Sequence, residues 1–351
     1  MANLRYYTVD LLSFAEMVEL PLYGVQMDKA LSAAGNFTGT YVLGSGHGVD
    51  QNLLDGTIPG QHAMYVEREG DIIWAGPIWS RTWQSSSKTI QLSAQTYESL
   101  YDHVVLTADF VKIGVEQVVI LGDLFDAVQA QTNNHFFNSK ATIVSTATPR
   151  DIVLPASEYH FASEVLQSLT GLPDGLDYVV NHTVNTQPRI FNIFKSDTTG
   201  DGSALELSFP GGLSNYWFTE NAARGAVKSA VSGAGISRTA TIAGGVGSRP
   251  AFWLTEQMQG NVDAATIQSR ANKLVQMPFP APTFEMNEME GTEWDSEFGW
   301  DRIGLNFTVN VGSDDRFPSG KTFQSRLMGW SYTPASSDGP ESLQFTLESD
   351  A

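Results

Sequence analysis

Hydrophobic and polar positions alternate with a period of two over much of this chain, the pattern of strands with one buried face and one wet face. The clearest case is residues 71–102, DIIWAGPIWSRTWQSSSKTIQLSAQTYESLYD. Its first strand carries Ile73, Ala75, Ile78 and three tryptophans, Trp74, Trp79 and Trp83. A polar turn, Gln84-Ser85-Ser86-Ser87-Lys88, follows. The return strand reads Ile90 in, Gln91 out, Leu92 in, Ser93 out. Upstream, 20–25 opens a strand, 35–43 alternates at Phe37, Gly39, Tyr41 and Leu43, and 62–68 forms another strand, closed by the tight turn Glu69-Gly70-Asp71. Residues 95–103 read as a short helix with Tyr97, Leu100 and Tyr101 on one face.

The period changes beyond residue 105. Residues 116–131 place Val119, Ile120, Leu124, Phe125 and Val128 at helical spacing, and 161–169 group Phe161, Val165, Leu166 and Leu169, with Gly171 and Pro173 as a stop signal. Strands are expected at 176–180 and 189–195 around the polar turn 185–188. Further strands are expected at 204–209, 214–219 and 225–231. Residues 262–277 read as a helix stopped by Pro278-Phe279-Pro280-Ala281-Pro282. Strands at 303–311, 322–332 and 341–348 close the chain. The last of these echo the tryptophan hairpin: Gly76-Pro77-Ile78-Trp79 precedes Leu92 as Gly329-Trp330-Ser331-Tyr332 precedes Phe345, and both glycines stand sixteen residues before their partner. The echo suggests an internal repeat.

With 351 residues, at ~100–200 per domain, two to four domains are expected. The expected division is a first β domain over 1–105, an α+β domain over 106–200, a second β domain assembled from 201–232 with 296–351, and a helix-containing segment inserted at 233–295. Only 17% of residues are charged, so Ser, Thr, Asn and Gln must supply much of the polar surface. The net charge of −19 repels phosphate backbones and leaves no basic stripe, which argues against sequence-specific nucleic-acid binding. There is no cysteine, which excludes disulfides, thiol catalysis and Cys-ligated zinc. The start, MANLRYYTVDLL, lacks the pattern of a signal peptide, and no apolar run reaches the ~20 residues of a membrane span.

Four stretches carry residue types used in catalysis or metal binding. Asp197, Thr199, Asp201 and Gly202 resemble the front of a calcium loop, but the twelfth position is Ser208 and the flanks read as strands, which favours a hairpin turn. Seven carboxylates lie in 285–301: Glu285, Glu288, Glu290, Glu293, Asp295, Glu297 and Asp301. Glycoside hydrolysis needs one buried acid and one solvated base, and this run shows no such split, so it reads as a loop anchored by Trp294, Phe298 and Trp300. Ser45, His47 and Asp50 share one glycine loop, where triad members rarely cluster. Gly244-Gly245-Val246-Gly247 lacks the full dinucleotide pattern. No catalytic, cofactor-binding or metal-binding residue is therefore expected, and the chain is expected not to be an enzyme.

Several segments, taken in order, resemble the tail-tip hub family of tailed bacteriophages, and more narrowly the minor tail proteins of long-tailed phages that infect actinobacteria. Residues 19–25 are similar to the family's opening strand. Residues 31–39 are similar to its Asn-x-x-Gly-x-Phe turn, with Ser32 where Asn is more usual. Trp74-Ala75-Gly76-Pro77-Ile78 resembles its W-x-G-x-I strand, and 92–101 the strand entering the first helix. The resemblance spans most of the chain and is strongest over 1–195. It implies a β-rich α+β fold with two tube-type, barrel-like domains and smaller α+β domains. It implies that three copies form a ring with six similar units, which joins a sixfold tail tube to a threefold tip in the virion and surrounds the path of ejected DNA. The implied partners are a homotrimer, tail-tube or distal-tail ring proteins, the tape measure protein and other minor tail or spike proteins. Because 349–351 directly follow the last strand, no lytic domain is expected. Two other functions remain: a wall polysaccharide hydrolase using Glu293 and Glu297, and a carbohydrate-binding adhesin using exposed tryptophans.

Overall fold

The structure is a computed structural model. It describes residues 3–43, 51–131, 139–142, 145, 147–170, 175–182, 189–195, 205–221, 226–233, 235–242, 245, 250–258, 261–262, 264–275, 279–287, 300–336 and 340–348.

The first part is built from β1 (Leu4–Asp10), β2 (Glu16–Glu19), β3 (Tyr23–Ala30), β4 (Asn36–Val42), a short α1 (Gln51–Asp55), β5 (His62–Arg68), β6 (Asp71–Gln84) and β7 (Thr89–Gln95). A 3₁₀ turn at Tyr97–Asp102 follows. The middle holds β8 (Phe110–Glu116), α2 (Gln117–Gln129), β9 (Ser139–Thr142), β10 (Pro149–Leu154), α3 (Ala162–Leu169), β11 (Leu176–His182) and β12 (Arg189–Lys195). The last part holds β13 (Leu205–Phe209), β14 (Asn215–Asn221), β15 (Lys228–Gly233), β16 (Ile236–Thr241), β17 (Trp253–Gln257), β18 (Asn261–Val262), α4 (Ala264–Leu274), β19 (Phe279–Asn287), β20 (Asn306–Val311), β21 (Lys321–Thr333) and β22 (Ser342–Leu347). The chain is thus β-rich with few helices.

Within a thirteen-stranded sheet, an unbroken antiparallel run of eight strands organises the molecule, in the order β14-β19-β22-β21-β3-β4-β7-β6. Its two halves repeat: β14-β19-β22-β21 matches β3-β4-β7-β6. The long strands β6 and β21 then continue the match. Each pairs one partner with its first half (β5, β20) and another with its second half (β7, β22). Both also carry a register shift at the same place, between Ile78 and Ser80 and between Leu327 and Gly329. Pairing aligns Ser80 with Gly329 and Ser93 with Thr346, because each pair occupies the same place in its hairpin. Gly76 is therefore not the counterpart of Gly329. Both return strands sit sixteen residues beyond their glycine, yet the turn after β21 is longer by four residues than the turn after β6, so matching the glycines slips the first strand by four.

No described sheet closes on itself, so among the described residues each half is an open arc of strands. Sheet pairing also redraws two expected boundaries. β15, expected within the second β domain, pairs with β16 and β17 under α4. β19, expected within the inserted segment, sits between β14 and β22. The proline run does not end a helix: α4 stops at Leu274, and Pro280 and Pro282 belong to β19. Two prolines two residues apart remove donors from the same strand edge, which is tolerated where that edge is unpaired. Here β19 is paired by β14 from Phe279, but by β22 only from Thr283.

Two cores result. One fills the concavity between the halves and their flanking strands, from Phe37, Trp74 and Ile78 to Phe284, Phe345 and Trp330. The other joins Tyr65, Tyr97 and Tyr101 to α2, α3 and β10–β12. Val119 and Phe161 lie outside it and are exposed: Val119 points away from the buried stripe of α2, and Phe161 caps α3 rather than facing its core. Of the three tryptophans, Trp74 is core and donates from Nε1 to the Asp28 carbonyl at 2.8 Å. Trp79 is half-buried and donates to Ser99 Oγ at 2.9 Å, and Trp83 is exposed.

Candidate functional site: the polar face of the central sheet

Directly opposed residues in a sheet share a face. One row across the central sheet runs Asn215, Glu285, Gln344, Ser331, Asp28. Asn36 extends it, donating its backbone N–H and Nδ2 to the Asp28 carboxylate at 3.1 and 3.3 Å, and Gln95 lies opposite Asn36. Two further rows match between the halves: Trp217, Thr283, Thr346, Gly329 and Gln26, Thr38, Ser93, Ser80. Thr40, Gln91 and Thr82 form a fourth.

Among the described residues this face carries mainly hydroxyls and amides, the carboxylates of Asp28 and Glu285, the exposed indole of Trp217 and no cation. Burial pushes the Asp28 carboxyl above its ordinary range, opposed by the bonds from Asn36. Glu285 Oε1 accepts from Ser342 Oγ at 3.1 Å. A depression of about 340 Å³ crosses the junction of the halves, bounded by Gln26, Asp28, Asn36, Thr38, Ser331 and Gln344. Among the described residues no histidine stands on this face beside its serines and threonines. Without Lys or Arg it offers phosphate no ion pair, only neutral donors.

The opposite side of the junction is clamped by buried charge. Lys29 sits on the core parity of β3, after Val25 and Met27, and its Nζ donates to Asn181 Oδ1 and Asp301 Oδ1, both at 3.1 Å. Arg326 donates to Asp177 Oδ2 at 2.6 Å and to both oxygens of Glu348 at 2.7 and 3.0 Å. Arg68 Nη1 reaches Glu341 Oε1 and the Tyr332 hydroxyl, both at 2.9 Å. Ser32 Oγ donates to Asp177 and accepts the Tyr178 N–H. Buried Glu98 accepts the Val180 N–H at 2.6 Å, and desolvation holds its carboxyl above the ordinary range against the pull of that bond and of Lys29. β11 is thereby tied to both halves. Buried pairs of this kind contribute geometry more than stability, because desolvation offsets most of the attraction.

The sequence-derived candidates fall as follows. The calcium-like residues Asp197, Thr199, Asp201 and Gly202, the group Ser45, His47 and Asp50, and Glu288, Glu290, Glu293, Asp295 and Glu297 lie outside the described residues. Of the glycine run 244–247 only Gly245 is described. Glu285 belongs to the polar face, and Asp301, expected in a solvated loop, pairs with buried Lys29. Among the described residues no three His, Cys, Asp or Glu side chains are grouped to hold a metal, and no helix is long and apolar enough to cross a membrane. Neither the polar rows nor the clamps were assigned from sequence. The available signal was a charged residue at a core parity, as at Lys29.

This architecture is one found in phage tail proteins. A tail protein from Neisseria meningitidis MC58 superposes with a TM-score of 0.63 over 98% of this chain and 97% of that one, at 12% identity. The 43 kDa tail protein of prophage MuSo2 from Shewanella oneidensis gives 0.62 over 98% and 97%, at 11% identity. The E. coli c3393 protein, a component of the type VI secretion system described as structurally similar to bacteriophage T4 tail proteins, gives 0.51 over 100% of this chain and 75% of its own, at 9% identity. No family profile and no curated protein matches the sequence.

Proposed function

We propose that this chain is a structural subunit of a phage tail tip, a hub whose polar sheet face lines the channel for ejected DNA. The observation that carries this reading is the repeat within one sheet: two arcs of equal strand order present one continuous face, rich in hydroxyls and amides, with two carboxylates and, among the described residues, no cation. Three copies would then offer six similar arcs, matching a sixfold tube above a threefold tip. A lining without cations would let phosphate pass without holding it. The fold's likeness to tail proteins over nearly the whole chain supports the same reading. The proposed neighbours are tail-tube or distal-tail ring proteins, the tape measure protein and other minor tail or spike proteins, in a phage of an actinobacterial host. The role is mechanical and needs no catalytic group in this chain. Electron cryo-microscopy of the parent particle tests it: three copies around the tail axis, polar face inward, are expected, and a peripheral position or another copy number would overturn it.

A further inference from the structure

Among the described residues the eight-stranded run ends in two open edges, β14 and the second half of β6, and the junction inside the chain shows how such edges join. At that junction β21 meets β3 antiparallel, with Gly329 opposite Ala30, Trp330 opposite Lys29, Ser331 opposite Asp28 and Tyr332 opposite Met27. By the internal repeat, β6 is the counterpart of β21, and β14 the counterpart of β3. Yet β6 beyond Ile78 is paired on one side only, by β7, and β14 on one side only, by β19. The matching rows fix the equivalence residue by residue. Ser80 corresponds to Gly329, so Trp83 corresponds to Tyr332; Gln26 corresponds to Trp217, so Met27 corresponds to Phe218.

We propose that β6 of one copy pairs with β14 of a second copy in the register of the internal junction: Ser80 opposite Asn221, Arg81 opposite Glu220, Thr82 opposite Thr219 and Trp83 opposite Phe218. Three observations favour a second copy as the occupant. The first is exposure. Tyr332, inside the junction, is 1% exposed, whereas its counterpart Trp83, at the open edge, is 47% exposed. A large aromatic at a core parity of a strand edge is what an uncovered junction leaves bare. The second is complementarity: the register sets Trp83 against Phe218, an aromatic against an aromatic, and Thr82 against Thr219, both favourable cross-strand pairs, while Arg81 is held within its own chain by the Leu54 carbonyl and Thr57 Oγ1. The third is the contrast with β2, another edge strand, whose Glu16 and Glu19 are engaged by Arg5 and give a charged margin. The open spans of β6 and β14 carry no proline, and 78–84 holds one charge.

This inference rests on the proposed ring for its number of copies, but not for its register. The chain has no cysteine, so a designed pair reads cleanly. Particles assembled with Thr82→Cys and Thr219→Cys are oxidised and run without reductant. Covalent oligomers that revert to monomer on reduction are expected, at least ~10-fold more than with Thr82→Cys and Trp217→Cys, which moves one partner two residues along the same face. Equal trapping by both pairs, or none by the first, overturns the register. If the cysteine variants fail to assemble, the map of the unmodified particle decides: β6 and β14 of neighbouring copies should lie ~4.8 Å apart with Thr82 opposite Thr219. A threefold hub with another pairing at β6 would sink this inference alone, and β6–β14 pairing in an off-axis assembly would sink only the tail-tip reading.

Discussion

The two halves of the central sheet share strand order and face polarity but little side-chain chemistry. In the first half Phe37 packs against Trp74 with ring centroids 5.2 Å apart. In the second, Phe284 stacks on Phe345 at 5.4 Å, and Phe218, Phe317 and Phe323 form a chain of edge and tilted contacts. The flanking strands differ as well: β1 runs antiparallel to β5, whereas β13 runs parallel to β20. What the halves keep in common is pairing and alternation. Sheet propensity reflects the fit of a side chain to a half-buried surface, so different apolar residues serve the same position while a one-residue slip would invert the faces.

The sharpest test compares counterparts in the two halves. Tyr332→Ser should destabilise by ~3–5 kcal/mol, the range for truncating a buried aromatic, and it also removes the hydroxyl between Arg68 and Glu341. Trp83→Ser should cost the isolated chain about 1 kcal/mol or less. Denaturation midpoints of the two variants would break the comparison if they moved together. Next in size, Arg326→Met leaves Asp177 buried without its cation and should cost ~3 kcal/mol. Arg5→Met, which loses partly exposed pairs to Glu16, Glu19 and Glu67, should cost under about 1 kcal/mol.

A smaller difference is expected at the two glycines. A Cβ at Gly76 would lie 1.8 Å from the Gln95 carbonyl oxygen, and one at Gly329 would lie 2.7 Å from that of Lys29. Gly76→Ala should therefore cost ~3 kcal/mol and Gly329→Ala ~1–2 kcal/mol, read from the same midpoints. The smallest effect is a slope. Glu98 is harder to ionise in the folded chain than in the unfolded one. Through the window above the ordinary glutamate range the folded state therefore holds more protons, and its stability falls as pH rises. Glu98→Gln should flatten that decline, so the variant gains on wild type as pH rises above the ordinary glutamate range; an unchanged slope in a urea series would refute the assignment.

Local alternation was enough to place strands with one wet face, because half-burial writes a period of two there. The strand at 36–42 and the less buried positions Gln91 and Ser93 are examples. It could not reveal which strands meet. The β3–β21 junction joins residues some three hundred positions apart, and nothing in 27–30 names 329–332 as its partner. The same limit put β15 and β19 on the wrong sides of their boundaries and slipped the repeat by the difference in turn length. The clamp was partly written at Lys29 and at Ser32. Ser32 has φ +55°, in the left-handed region where asparagine and glycine are at ease, so the turn holds a serine in a conformation that such a residue rarely adopts.

β6 has 14 residues, roughly 46 Å of extended chain at ~3.3 Å per residue. Its first half is held by β5 and its second by β7, so one continuous backbone belongs to two layers. Neither layer can peel away without straining the other through that shared strand. Amides from Ile72 to Thr82 should therefore exchange with solvent as one cooperative block, with β21 setting a second block in the other half. A subunit wired in this way resists being pulled apart strand by strand and yields, when it does, in large pieces.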